Sequence, residues 1–434
     1  MSFIKDKDSI REIAEQKRLL EYLVFDKDFA KKFEADRKKT LESIGLGDLD
    51  TEHAASLYKE FINKKTLMRE SVKAAGEPSN PQFAKWRNRQ IGRCTMMFSK
   101  EQSDSLVHLP ILFELSKGCS IGCKFCGLNS GPLKTVFMAT EENKKLWADV
   151  MDAAVKLIGP AVGEGICYYG TEPLDNPDYG YFSQDWFERF GKYPQITTAA
   201  ALRNVEKTRE LLKQLDPFKE TIFRFSVRSL DEFTTIAREF TPEELLMVEL
   251  LPQFEEAPGN ALAKVGRNAT ENEYSGTISC VSGFKVNMCD RSISLITPVE
   301  ASERFPLGQI ELKKVIFTDG EDFERKLETM ISGMKTILSP NEKLSLYDYL
   351  YYNVENNTCK IYNKYGVGYQ FDFPDYSDLI QKLFDSLNSG LYTRREIVEK
   401  LEIKNAEGWD SLAFHSIINN MWNRGLIVDS QLYE

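Results

Sequence analysis

The stretch Phe113-Glu-Leu-Ser-Lys-Gly-Cys119-Ser-Ile-Gly-Cys123-Lys-Phe125-Cys126-Gly constrains this chain more than any other. Its three cysteines fall at i, i+4 and i+7 on a glycine-flanked loop that directly follows an apolar, strand-like run. Three thiolates this close can converge on one metal centre. A cubane iron–sulfur cluster commonly takes four cysteines, so three from one loop would leave one iron open to a ligand that is not protein. Zinc is the rival, but a structural zinc site takes four ligands, usually as two pairs. The other five cysteines (Cys94, Cys167, Cys280, Cys289 and Cys359) stand alone. A disulfide framework is weaker still, because the chain is too long for a cysteine-stapled scaffold and carries no secretory pattern.

With 434 residues, 42% hydrophobic and 28% charged, the chain can bury a large core in two or three domains. Its 12% aromatic content argues against disorder. No apolar run approaches the ~20 residues needed to cross a membrane. A net charge of −10 argues against a general nucleic-acid binder. Unpaired cysteines suit a reducing cytoplasm. The expected class is a soluble cytoplasmic enzyme with no nucleic-acid or membrane partner.

Residues 1–75 read as a helical subdomain. Ile13, Leu19, Leu20 and Leu23, then Phe29, Phe33, Leu41 and Ile44, recur at helical spacing between charges. Residues 76–109 read as a linker and bridging segment, opening on a Gly/Pro/Ser/Asn-rich run. From 110 to 300, short apolar runs alternate with amphipathic stretches, which predicts an α/β domain with a parallel sheet. The expected strands are 110–115, 165–169, 195–200, 221–227, 245–251 and 276–281. Thr140 is placed to cap a long helix, with Glu141 and Glu142 in its first turn. Residues 301–339 connect to a C-terminal domain over 340–434. There a hairpin around Tyr365-Gly precedes helices expected at 378–387, 393–401 and 412–424.

Cys119-x-x-x-Cys123-x-Phe125-Cys126 resembles the signature of the radical S-adenosylmethionine (SAM) enzymes. That resemblance implies a [4Fe–4S] cluster on Cys119, Cys123 and Cys126, with the amino and carboxylate groups of SAM on the open iron and Phe125 against its adenine. The six strand–helix units then resemble the partial (β/α)6 barrel of that superfamily, whose chemistry sits at the C-terminal strand ends. Gly170-Thr171-Glu172-Pro173 stands where the superfamily holds the SAM amino group through backbone carbonyls; Thr171 replaces the usual second glycine. Ser226 and Arg228, at the end of the fourth strand, stand where ribose and carboxylate contacts are often placed.

Phe113 to Gly127, Pro173-Leu-Asp-Asn-Pro-Asp-Tyr179, Ser279-Cys-Val-Ser-Gly-Phe-Lys-Val-Asn-Met288 and Ala301-Ser-Glu-Arg-Phe-Pro-Leu-Gly308 are further similar to the proteusin-type peptide epimerases. These convert L-residues of a ribosomally made precursor peptide into D-residues. The resemblance implies removal of a Cα hydrogen by a 5′-deoxyadenosyl radical and return of a hydrogen from a thiol on the other face. Cys280 is the first choice of donor, near the end of the sixth strand with Ile278 and Ser282 on its side and Gly283 as a following bend. Cys359 is second, Cys289 third, and Cys94 and Cys167 are structural. The C-terminal strands and helices suggest a winged helix. Nine Asp/Glu against six Lys/Arg over 377–434 disfavour DNA, and the arrangement resembles the domains that grip leader peptides, commonly as an added strand. The implied partners are a precursor peptide and a flavodoxin- or ferredoxin-like electron donor. Crosslinking of a peptide, or an iron–sulfur DNA-binding regulator, are the alternatives.

Overall fold

The computed structural model describes residues 7–123, 125–128, 130–213, 223–253, 279–355, 358–372, 377–401 and 409–429. Four helices open the chain: α1 (Lys7–Phe25), α2 (Lys27–Ala35), α3 (Arg37–Ser43) and α4 (Thr51–Ala75). Asp26 and Asp36 start α2 and α3 by accepting the backbone N–H groups of Phe29 (2.9 Å) and Lys39 (3.1 Å), two of the donors a helix start leaves unpaired. The bridging segment is itself helical, as α5 (Pro81–Met97) and α6 (Lys100–Ser105). Asn80 caps α5 and Pro81 occupies its first turn, where a missing N–H costs nothing.

Next come β1 (Leu109–Glu114), the short hairpin strands β2 (Ser116–Lys117) and β3 (Thr135–Val136), α7 (Glu141–Ile158) and α8 (Tyr179–Phe190). They are followed by β4 (Ile196–Thr198), α9 (Val205–Leu212), β5 (Phe223–Val227), α10 (Leu230–Glu239) and β6 (Val248–Pro252). The Thr140 hydroxyl does cap α7, accepting from the N–H of Asn143 at 3.3 Å. Then come β7 (Val281–Asn287), β8 (Ser292–Pro298), β9 (Gln309–Ile316) and α11 (Gly320–Ser332).

β4, β5 and β6 pair in parallel. Single bridges from Ile166 to Leu112 and to Gln195 join them to β1, so the strand expected over 165–169 contracts to one residue. On its other side β1 pairs in parallel with β7, which continues antiparallel into β8 and β9. The result is a mixed α/β sheet, and among the described residues it does not close into a barrel. Six successive βα units would put the sixth strand beside the fifth; here it flanks the first. Residues 276–278 of the expected sixth strand lie outside the described residues, and the observed strand starts where the expected one was to end. Gly283, read as a bend, sits inside β7. A Cβ there would lie 1.9 Å from the Pro110 carbonyl oxygen, so the bare Cα is what lets the two strands approach.

Ile111 and Phe113 of β1, Phe223 and Phe225 of β5, and Phe284 of β7 turn to one face. They pack there with Trp147, Val150, Phe182 and Trp186 from α7 and α8. A second core belongs to the C-terminal domain. It holds β10 (Leu350–Glu355), β11 (Thr358–Asn363) and β12 (Gly368–Asp372) in an antiparallel meander. Three helices follow: α12 (Ser377–Ser389), α13 (Arg394–Lys400) and α14 (Trp409–Asn423). The hairpin and three helices match the expectation; β10 was not foreseen. Helix α5 enters both cores, with Phe83 and Trp86 in the first and Cys94, Met96 and Met97 in the second. Arg89 of α5 ion-pairs with Asp429 at 2.9 Å, each side chain 2% exposed, and lies 3.8 Å over the ring of Trp422. Among the described residues no helix is long and apolar enough to cross a membrane.

Candidate functional site

The cysteine loop stands on the C-terminal end of β1. Pairing of Ser116–Lys117 with Thr135–Val136 makes the base of a hairpin, and the N–H of Cys119 donates to the Gly131 carbonyl at 2.9 Å. Gly118 makes the bend possible. Its φ is +80°, and a Cβ would lie 2.0 Å from the Pro132 carbonyl oxygen, so both the backbone angle and the close approach demand glycine.

Cys119, Cys123 and Cys126 line one cavity of about 340 Å³, together with Ser120, Gly122, Ser130, Gly131 and Pro132. Burial raises the Cys119 thiol, opposed by the N–H groups of Ile121 and Gly122. Cys123 is pushed up to about 11, first by burial and then by Cys119 and Cys126, while Arg228 pulls it down. The three thiols are therefore mutual electrostatic neighbours. A tetrahedral zinc needs all its ligands within about 2.0–2.3 Å of one ion, whereas a cubane takes each cysteine on a separate iron. Three thiols around one cavity suit a cubane, each cysteine taking its own iron. These cysteines would hold it, and no fourth cysteine lines the cavity.

Five side chains missed in the sequence fix this loop. Glu114, the last residue of β1, is buried. It accepts from the N–H of Gly170 at 3.0 Å and from the Asn287 side-chain amide at 3.1 Å. Asp175 accepts from the N–H of Ser120 at 2.9 Å, and from the Ser120 hydroxyl. Arg203 donates to Asp175 at 2.6 Å and also to the Ser120 hydroxyl. Asn176 donates to the carbonyls of Leu115 (3.3 Å) and Phe137 (2.8 Å), and Asp178 accepts from the N–H of Ala139 at 2.7 Å. The Asp175-Asn-Pro-Asp178 run was the available signal: short polar side chains in a turn are built to bind backbone.

Of the expected site residues, Gly170 lies against Ser130 of the loop, Thr171 after it is half-buried, and Phe125 on the loop is half-buried. A Cβ on Gly170 would lie 2.1 Å from the Ser130 hydroxyl. Pro173 is buried in a short 3₁₀ turn, Pro173–Asp175. Glu172 is 5% exposed and accepts from Leu174 N–H (3.0 Å), the Thr198 hydroxyl (2.6 Å) and Ala199 N–H (2.9 Å). Ser226 is buried on β5. Arg228 is half-exposed, ion-paired with Glu232, and close enough to Cys123 and Glu172 to feel both.

Of the solitary cysteines, the donor candidates Cys280 and Cys359 are placed differently from expectation. Cys280 precedes β7, and because β7 runs parallel to β1 it lies at the end of the sheet away from the cysteine loop. Its thiol, pushed up to about 11 by burial, is within reach of Arg224, Tyr168 and Tyr169. Cys289 follows the far end of β7, on the loop side, its thiol 3.8 Å from the Thr135 carbonyl oxygen. Cys359 is fully buried on β11, opposite Val354 and Phe371, inside the C-terminal core. Cys94 and Cys167 are buried in the C-terminal and main cores respectively, as expected of packing residues.

No protein-family model matches the chain. An uncharacterized protein, y4wI, of Sinorhizobium fredii (strain NBRC 101917 / NGR234) is 38% identical over 291 residues, covering 63% of this chain and 56% of that protein. The chain thus spans about half the length of the curated relative it matches. Among solved structures, that of BtrN in complex with AdoMet and 2-DOIA aligns with 53% of this chain and 87% of its own. The TM-score is 0.31 and the identity 15%, a likeness too loose to carry an argument.

Proposed function

We propose that the chain is a radical SAM enzyme that inverts L-residues of a ribosomally made precursor peptide to D-residues. The observation that carries this reading is the cysteine loop, with three thiols on one cavity and the Gly170–Pro173 segment pinned beside them by Glu114. A [4Fe–4S] cluster and SAM bound there would supply the radical that removes a Cα hydrogen.

The protein's own residues supply the rest. Gly170's N–H is taken by Glu114, and the carbonyls of Glu172 and Pro173 already accept from the N–H groups of Asp175 and Asn176. The carbonyls of Gly170 and Thr171 are what the segment offers an ammonium group. A hydrogen-atom donor must be a thiol rather than a thiolate, and burial keeps Cys280 protonated well above neutral pH. Cys280, although it stands at the end of the sheet away from the cysteine loop, stays our choice over Cys359, whose thiol is enclosed in the C-terminal core; Cys289, on the loop side, is the rival donor. The leader is assigned to the C-terminal sheet. There β12 has a neighbour on one side only among the described residues, the edge to which an extended peptide can add. A flavodoxin- or ferredoxin-like protein is the electron donor.

Anaerobic turnover of the precursor peptide in deuterated water tests the proposal. Each inverted residue gains one mass unit, because the thiol hydrogen exchanges with solvent. An unlabelled product, or one lighter by two mass units, sinks it. Cys280→Ala should abolish inversion while SAM is still cleaved; undiminished inversion would move the donor to Cys289, on the loop side of the sheet.

A further inference from the structure

Asp175 and Arg203 are joined to the cysteine loop at one point. The Asp175 carboxylate is 1% exposed and holds both the N–H and the hydroxyl of Ser120, the residue directly after the first cysteine ligand. Arg203, 41% exposed, reaches in from the loop after β4 and binds both Asp175 and Ser120. One buried carboxylate thus clips together the loops that follow β1, the Ile166 segment and β4. All three emerge at the strand ends where the cavity opens. The clips made by Asn176 and by the backbone N–H groups that Glu114 and Asp178 hold bring no counter-charge. Here a full anion meets a full cation at the residue next to a cysteine ligand, as Arg228 and Glu232 do beside Cys123.

We infer that Asp175 and Arg203 are positioning residues that set the reduction potential of the cluster held by Cys119, Cys123 and Cys126. The inference rests on the cluster assigned above. Net charge and hydrogen bonding around a cluster are the terms that tune its potential, and charges a few ångströms away inside a protein are weakly screened. Asp175 keeps the backbone between the first two ligands in place. Left alone, its charge would oppose addition of an electron to an already anionic centre. Arg203 cancels that charge from the solvent side, where its removal opens no cavity.

The two halves of the pair therefore act in opposite directions. Arg203→Gln removes the cation that faces Asp175 and should lower the midpoint potential. Arg203→Lys, which keeps the charge, should return it to the wild-type value. Asp175→Asn leaves an uncompensated cation and should raise the potential, and it should release iron to a chelator faster than wild type. The measurement is a redox titration of reconstituted protein followed by the electron paramagnetic resonance of the reduced cluster. A purely structural clip predicts shifts of one sign for both variants, or none. An unchanged potential in Arg203→Gln, or shifts of the same sign in Arg203→Gln and Asp175→Asn, overturns the inference. Absence of any [4Fe–4S] signal in reconstituted wild type would overturn the cluster assignment instead.

Discussion

Glu172 shows how much of the site rests on acceptors rather than on charge. Its two oxygens take hydrogen bonds from Leu174 N–H, Ala199 N–H and the Thr198 hydroxyl, and burial raises its pKa above the usual 4.5. A carboxyl raised in the folded state favours folding below its unfolded pKa and loses that advantage as pH rises through the folded value. Removing the charge should therefore help at neutral pH, yet Glu172→Gln is expected to destabilise. Its NH₂ group would face an N–H donor, at a cost of about 1–3 kcal/mol. Thermal unfolding of the variant between pH 5 and 8 checks this, and a variant as stable as wild type would refute it. The same residues mark the limit of sequence reading. Cys119, Cys123 and Cys126 are legible because their chemistry is local. Asp175 meets Ser120 across 55 positions and Glu114 meets Gly170 across 56, pairings that only the folded sheet creates.

At the scale of elements, helices and caps were readable because their signals lie within a turn or two of one another. Thr140 and Asn80 are examples. Strands were harder. Period-two alternation runs through both 276–281 and 281–287, and nothing in it says which stretch pairs with β1. That choice is made partly by Gly283, whose missing side chain admits the Pro110 carbonyl. Gly283→Ala forces two backbones apart in the middle of a sheet. It is expected to cost about 1–3 kcal/mol or more, as overpacked cores do, and to lower the melting temperature while leaving C-terminal helix content intact. A variant that melts with wild type would show that the strands can slide to accommodate it.

At the scale of the molecule, the acidic C-terminal domain is tied to the rest by a charge pair that water scarcely reaches. Asp429→Ala strips Arg89 of its counter-ion while the guanidinium stays buried under Trp422 and bonded to the Lys335 carbonyl. Loss of one partner of a buried pair costs about 3–5 kcal/mol. The variant should unfold at lower denaturant and be cut first by protease near residue 340; unchanged proteolysis would mean that the apolar contacts of α5 suffice alone.

Helix α5 threads both cores, so the two halves of the molecule share a spine rather than a hinge. Under the proposed function this turns the protein into a measuring device. A leader gripped on the C-terminal sheet would hang at a constant distance from the cysteine loop, and the chain length between grip and loop would choose the residue presented. Peptides differing only in the number of residues after the leader would then be inverted at positions displaced by that number, with no change in the enzyme.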